Sequence, residues 1–126
     1  MARILIVDDD VHVCKWIRQF FEQQGYEVFE AHDGEQGIKI LRENHADLVI
    51  IDIFMPKQGG ISTMMQVRSD FPGMKMIVIS GGGGAKHLDF LEMASELGAH
   101  RILQKPFSSK ELLDTVQELL PLSIQQ

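Results

Sequence analysis

Asp47-Leu48-Val49-Ile50-Ile51-Asp52-Ile53-Phe54-Met55-Pro56 is the stretch whose reading decides the fold. The run 48–51 is apolar and mostly β-branched, with no polar side. Such a run reads as a strand covered on both faces, as in a parallel sheet. Asp52 then lies at or just past the carboxyl end of that strand. Ligands of open parallel α/β sheets bind at that edge. A carboxylate there is a nucleophile, a metal ligand or a helix cap, and the rest of the chain has to decide which.

Upstream, 3–7 is a short apolar run ending in Asp8-Asp9-Asp10, and it reads as the first strand. Val13, Trp16, Ile17, Phe20 and Phe21 recur at helical spacing, so Trp16 is placed on a buried stripe. Asp10 reads as the cap that starts this helix and Gly25 as the residue that ends it. The segment 27–31 reads as strand two. Asp33 with Gln36 predicts a capping box for a helix through about Glu43.

Downstream, 56–60 is a loop by its breakers. Ile61, Met64, Met65 and Arg68 predict a third helix, stopped near Phe71-Pro72-Gly73. The run 74–79 reads as strand four, followed by Ser80 and the glycines 81–84. A fourth helix is predicted over about 86–97, closed by Gly98, and 101–104 is a short fifth strand before Lys105-Pro106. Ser108 and Glu111 form a capping box for the last helix, with Phe107 stapled to Leu112. Its buried stripe is Leu112, Leu113, Val116, Leu119 and Leu120, and Pro121 ends it.

Five strand–helix units in strict alternation imply right-handed crossovers and a doubly wound parallel sheet with helices on both faces. Five strands favour the flavodoxin-like order 2-1-3-4-5 over the six-stranded dinucleotide-binding order. The 126 residues suit one domain, 1–126. Lys plus Arg is 12 and Asp plus Glu is 18, a net charge of −6. That balance argues against nucleic acid and anionic membrane as direct partners. The lone Cys14 rules out an internal disulfide and fits a reducing cytoplasm. No apolar run approaches the ~20 residues of a membrane span, and no signal peptide is read at Met1-Ala2-Arg3.

In this topology the carboxyl ends of strands one and three are neighbours, so Asp8, Asp9 and Asp52 converge. Three close carboxylates repel unless a cation or protons intervene, and hard oxygen ligands suit Mg²⁺. Ser80 and Lys105 close strands four and five at the same edge. Acids, hydroxyl and ammonium together make a site for a phosphoryl group on Asp52. The glycines 81–84 do not form a P-loop, because Ala85 precedes Lys86 and His87 follows it. Met64, Met65, Met74 and Met76 read as core. The five histidines lack metal-ligand spacing and read as surface or core residues.

The patterns Ile6-Val7-Asp8-Asp9, Ile51-Asp52-Ile53-Phe54-Met55-Pro56, Val78-Ile79-Ser80-Gly81 and Gln104-Lys105-Pro106-Phe107 together resemble the receiver domain of bacterial two-component response regulators. The match runs in order over essentially the whole chain. The resemblance implies that Asp52 accepts phosphoryl from a sensor histidine kinase or a phosphotransfer protein. Asp9 matches the direct Mg²⁺ ligand, Asp8 the acid acting through water, and the Phe54 backbone carbonyl the third protein ligand. Ser80 matches the hydroxyl that turns toward the phosphoryl group. Lys105 matches the ion-pairing lysine, and its bond to Pro106 is usually cis in the family. The implied output is altered binding of a downstream protein, by a monomer or a phosphorylation-dependent dimer, without a separate enzymatic output domain. A receiver fragment of a longer regulator is the alternative.

Two departures stand out. The family usually carries Tyr or Phe where this chain has Ile102, and the loop begun by 81–84 is longer than most receivers have. An aspartate-nucleophile phosphatase of the haloacid dehalogenase kind would want an acid at Phe54. A flavin carrier would want a phosphate-binding loop where Asp8-Asp9-Asp10 stands.

Overall fold

Apolar runs of odd and even parity, separated by amphipathic helices, build a five-stranded parallel sheet in the order β2-β1-β3-β4-β5. The computed structural model describes residues 1–53, 55, 59–81 and 85–120, the side chains of 85–90 excepted. Strands are β1 Arg3–Val7, β2 Glu27–Ala31, β3 Leu48–Asp52, β4 Lys75–Ser80 and β5 Arg101–Gln104. Helices are α1 Val11–Gln23, α2 Gly34–Glu43, α3 Gly60–Asp70, α4 Ala85–Glu96 and α5 Ser109–Leu119. The carbonyl read into Phe54, the glycines 82–84 and the stop at Pro121 lie outside the described residues.

Side chains of a strand alternate between faces, and the core divides accordingly. Ile4, Ile6, Leu48, Ile50, Ile77 and Ile79 pack with Ile17, Phe21, Leu112 and Val116 of α1 and α5. Leu5, Val7, Val49, Ile51, Met76 and Val78 pack with Ile38, Met64, Val67 and Ala94 of α2, α3 and α4. Ile102 joins this second cluster. Covering both faces is what an unbroken apolar strand such as β3 requires.

The helix ends follow local chemistry. The Asp10 carboxylate accepts from the N–H groups of His12 and Val13. Gly25, at φ +93°, closes α1: its N–H reaches the Glu22 carbonyl, and the Tyr26 N–H reaches Phe21. This is a Schellman motif, with its apolar contact supplied by the Phe21 and Tyr26 rings at 5.3 Å. The Ser108–Glu111 capping box is formed. At α2 the Asp33 carboxylate caps the Gln36 N–H, but the Gln36 side chain reaches back to the His32 N–H, one residue earlier than a capping box uses.

Two expectations are corrected. Trp16 is not on the buried stripe: it is 42% exposed, and its ring lies 5.9 Å from that of Phe107. Cys14, Ile17 and Phe21 form the buried line instead, and Trp16 lies roughly 100° round the helix from Ile17. Met65 is 55% exposed, because Thr63, Met64 and Val67 occupy the inward face of α3. The Thr63 hydroxyl is accommodated there by donating to the Gly59 carbonyl.

Tyr26 is buried, yet its hydroxyl has no hydrogen-bond partner among the described residues. An unmet buried hydroxyl costs about 1–3 kcal/mol. Tyr26→Phe keeps the ring contact with Phe21 and removes that cost. The variant is expected to raise the urea midpoint, by roughly 1 kcal/mol of stability. A loss of stability would show that the hydroxyl is bonded in solution.

Candidate functional site

The acid pocket forms where β1, β3, β4 and β5 end together. The Asp8 N–H bonds to the Ala31 carbonyl, Ile53 N–H to Ile79, and Lys105 N–H to Ser80. Each chain leaving the sheet is therefore tied to its neighbour just beyond the strand. Asp8 and Ser80 are fully buried, Asp52 is 5% exposed, and Asp9 is exposed at the mouth. Asp8, Asp9 and Asp52 each bring an oxygen within 4.8 Å of the others, close enough to hold one metal ion.

Lys105 reaches across from β5. Its Nζ lies 3.5 Å from Asp8 Oδ2 and 3.5 Å from Asp52 Oδ2. Burial alone would pull the Lys105 ammonium down, but Asp52 and Asp8 together hold it above its ordinary value. Gly81 makes room for this reach, since a Cβ there would stand 3.1 Å from Lys105 Cδ. The Lys105–Pro106 bond is cis, as the resemblance implies. Val13, Trp16, Lys105, Pro106 and Phe107 line a shallow cleft of about 260 Å³ beside the pocket. Another cleft, about 600 Å³ between α2 and α3, is lined by Glu35, Lys39, Arg42 and Gln66 and includes none of Asp8, Asp9 and Asp52.

Burial pushes the Asp8 carboxyl up to about 6, and the Asp52 charge adds to the push. The Asp10 N–H, 2.9 Å from Asp8 Oδ1, and the Lys105 ammonium pull the other way. In the metal-free chain, stability from protonated Asp8 is fully present below 3.8 and is lost as pH rises to about 6. Asp8→Asn keeps the acceptor for Asp10 and removes the buried charge. With a chelator present, it is expected to stabilise the fold by roughly 1–3 kcal/mol at about pH 8 and by little at about pH 4. Excess Mg²⁺ should narrow or reverse the difference, because it stabilises the wild type more than the variant. Urea midpoints at the two pH values check this, and equal midpoints in the chelated samples would refute it.

Residues 4–117 match the response regulator receiver domain. The chain belongs to that family. Over 120 residues it is 34% identical to the transcriptional regulatory protein CpxR of Escherichia coli strain K12, covering 95% of this chain and 50% of that protein. It is 32% identical to sporulation initiation phosphotransferase F of Bacillus subtilis, covering 95% of this chain and 94% of the relative. The chain thus spans about half the length of the CpxR relatives and nearly all of the Bacillus one. A CheY-like receiver domain from Methanospirillum hungatei superposes with a TM-score of 0.88 at 30% identity, covering 99% of this chain and 96% of that one. The sheet order and five helices of the receiver fold are as read from the sequence. Among the described residues, no helix is long and apolar enough to cross a membrane.

Of the site residues read from sequence, Asp8, Asp9, Asp52 and Lys105 share the pocket, and Ser80 ends the strand between those of Asp52 and Lys105. The sequence reading left out Gly60. A Cβ on it would meet the Asp52 carbonyl oxygen and Ile53 Cα at 2.4 Å. The doubled glycine before α3 was the available signal, but it reads equally well as a loop.

Proposed function

We propose that this receiver domain accepts a phosphoryl group on Asp52 from a histidine kinase or a phosphotransfer protein and alters its binding to a downstream protein in response. The observation that carries this reading is the position of Lys105 Nζ, 3.5 Å from both Asp8 and Asp52 in a nest of three carboxylates. Such a nest is costly unless it receives something cationic or something that uses a cation. Supporting relatives are named a phosphotransferase in Bacillus subtilis and an autoinducer sensor kinase/phosphatase in Vibrio cholerae.

In the proposed step an Asp52 carboxylate oxygen attacks phosphorus. The donor's nitrogen–phosphorus bond breaks, and its imidazole leaves with the electron pair and regains a proton. Lys105 gives up part of its attraction to Asp8 for a phosphoryl oxygen, and the Ser80 hydroxyl donates to another. Asp9 and Asp52 would hold Mg²⁺ directly, with the Phe54 carbonyl, and Asp8 through water. The ion would supply positive charge against the acids and the phosphoryl oxygens. The exposed Trp16 and the Phe107 ring beside the mouth give an arriving protein donor an apolar place to rest.

The phosphoryl adds about −1.5 to −2 charges when ionised. Movement of Ser80 and Lys105 toward it acts on β4, β5 and the segments that follow. Ile102 offers no large ring to swing, so the response passes through the backbone joined to Ser80. The test is incubation with acetyl phosphate. One phosphoryl is expected on the intact mass with Mg²⁺ and none with chelator, and the adduct should be labile to base and hydroxylamine. A stable adduct, or uptake unaffected by chelation, would overturn the proposal.

A further inference from the structure

Glu30 and His32 are two residues apart at the end of β2, so both project to the same side of the strand end. Cys14, one turn into α1, faces them. The Cys14 sulfur, a Glu30 carboxylate oxygen and a His32 ring nitrogen lie within 4.8 Å of one another. We propose that Cys14, Glu30 and His32 form a second metal site, for a borderline divalent cation such as Zn²⁺, set back to back with the acid pocket.

Three observations carry this. The His32 Nε2 atom is buried without a hydrogen-bond partner among the described residues, although 39% of the side chain is exposed. The ring therefore points its free nitrogen inward. Glu30 Oε1 lies 3.6 Å from it, too far for a hydrogen bond. Next, the two Glu30 oxygens are divided: Oε2 holds Arg18 at 3.2 Å, which leaves Oε1 for another partner. Last, the Cys14 sulfur rests 3.3 Å from the Asp8 carbonyl, a weak bond that a metal can replace.

The donor set selects the ion. Thiolate plus imidazole suits Zn²⁺, whereas Mg²⁺ prefers the all-oxygen pocket of Asp8, Asp9 and Asp52. Metal–ligand distances of about 2.0–2.3 Å put tetrahedral ligands about 3.3–3.8 Å apart. The side chains must close in, and Glu30 and His32 can do so by rotation because both sit at the surface margin. Three protein ligands leave one position for water. On binding, a metal–sulfur bond forms and the thiol proton goes to solvent, while the imidazole binds neutral. The bound ion would staple α1 to the end of β2, directly behind the Asp8 backbone.

The experiment uses the full chain, reduced and freed of metal, with Mg²⁺ in excess to fill the acid pocket. Co²⁺ is the probe, because thiolate ligation gives a near-ultraviolet charge-transfer band that oxygen ligation does not. Wild type is expected to develop the band to one equivalent, and Zn²⁺ to abolish it. Cys14→Ser should lose it, and His32→Ala should weaken binding by about tenfold or more. Asp9→Asn should keep it. Failure of the band to appear, its persistence at full strength in His32→Ala, or its loss in Asp9→Asn would each overturn a separate site. His32→Ala guards against a Cys14 variant that merely folds poorly, since His32 lies outside the core.

Discussion

Asp52→Asn is expected to abolish phosphoryl uptake from acetyl phosphate while the chain stays folded. The amide matches the carboxylate in size and fits the same nearly closed space. What it lacks is a nucleophilic oxygen. Asp8 is wholly buried and already engaged by the Asp10 N–H, and Asp9 stands at the exposed mouth, away from Lys105's two contacts. Asp8 shares the Lys105 ammonium at 3.5 Å but is closed off from an arriving donor, and Asp9 lacks that contact; of the three acids, Asp52 combines the ammonium at 3.5 Å with an opening to the mouth. Removal of the reacting group should slow uptake on the order of 10³-fold or more. Loss of one charge from three crowded acids should also raise the stability of the metal-free protein. Intact-mass measurement and a urea melt read the two effects on one sample. An equal adduct on the variant would move the reacting group elsewhere in the pocket.

Gly60→Ala is expected to be strongly destabilising, with the closest backbone approach among the described glycines. Alanine in a helix is ordinarily favoured over glycine by about 1 kcal/mol. Here its Cβ would lie 2.4 Å from the Asp52 carbonyl oxygen, 2.4 Å from Ile53 Cα and 2.8 Å from the Ile53 oxygen. All three are backbone atoms, so no side chain can rotate away. Relief requires α3 to lift from the end of β3, which carries the reacting aspartate. A net loss of roughly 3 kcal/mol is expected, at the upper end of overpacking costs. Gly37→Ala is the control. There the nearest atom is Val7 Cγ2 at 2.9 Å, one side-chain carbon rather than three backbone atoms, and a smaller loss of about 1 kcal/mol is expected. Urea midpoints decide it. If the two variants lose the same stability, backbone contact at Gly60 is not what holds α3 against β3.

By itself the sequence determined the elements and their order of use. Strands β1, β2 and β5 start and end where composition places them, β3 ends one residue later, and β4 both starts and ends one residue later. Asp10 and Ser108 cap the helices they precede, and Gly25 and Gly98 stand past the ends of α1 and α4 at positive φ. These features are local. A cap needs a side chain within three residues of its N–H, and a strand with no polar face needs cover on both sides. Convergence of Asp8, Asp9 and Asp52 was legible as well, because strict β–α alternation leaves few sheet orders. Tertiary structure alone decided which of two neighbouring apolar side chains faces inward. Periodicity marks a stripe about a third of a helix wide, and only packing against the sheet chose Ile17 over Trp16 and Met64 over Met65. It alone set Lys105 equidistant from two acids 97 and 53 positions away in the chain. It also brought Cys14 to Glu30 and His32, since no spacing rule links a helix residue to the end of a strand that pairs alongside. Distances across the sheet depend on how far each helix is pressed toward it. That is fixed by the volumes of all the side chains between them, which no local stretch contains.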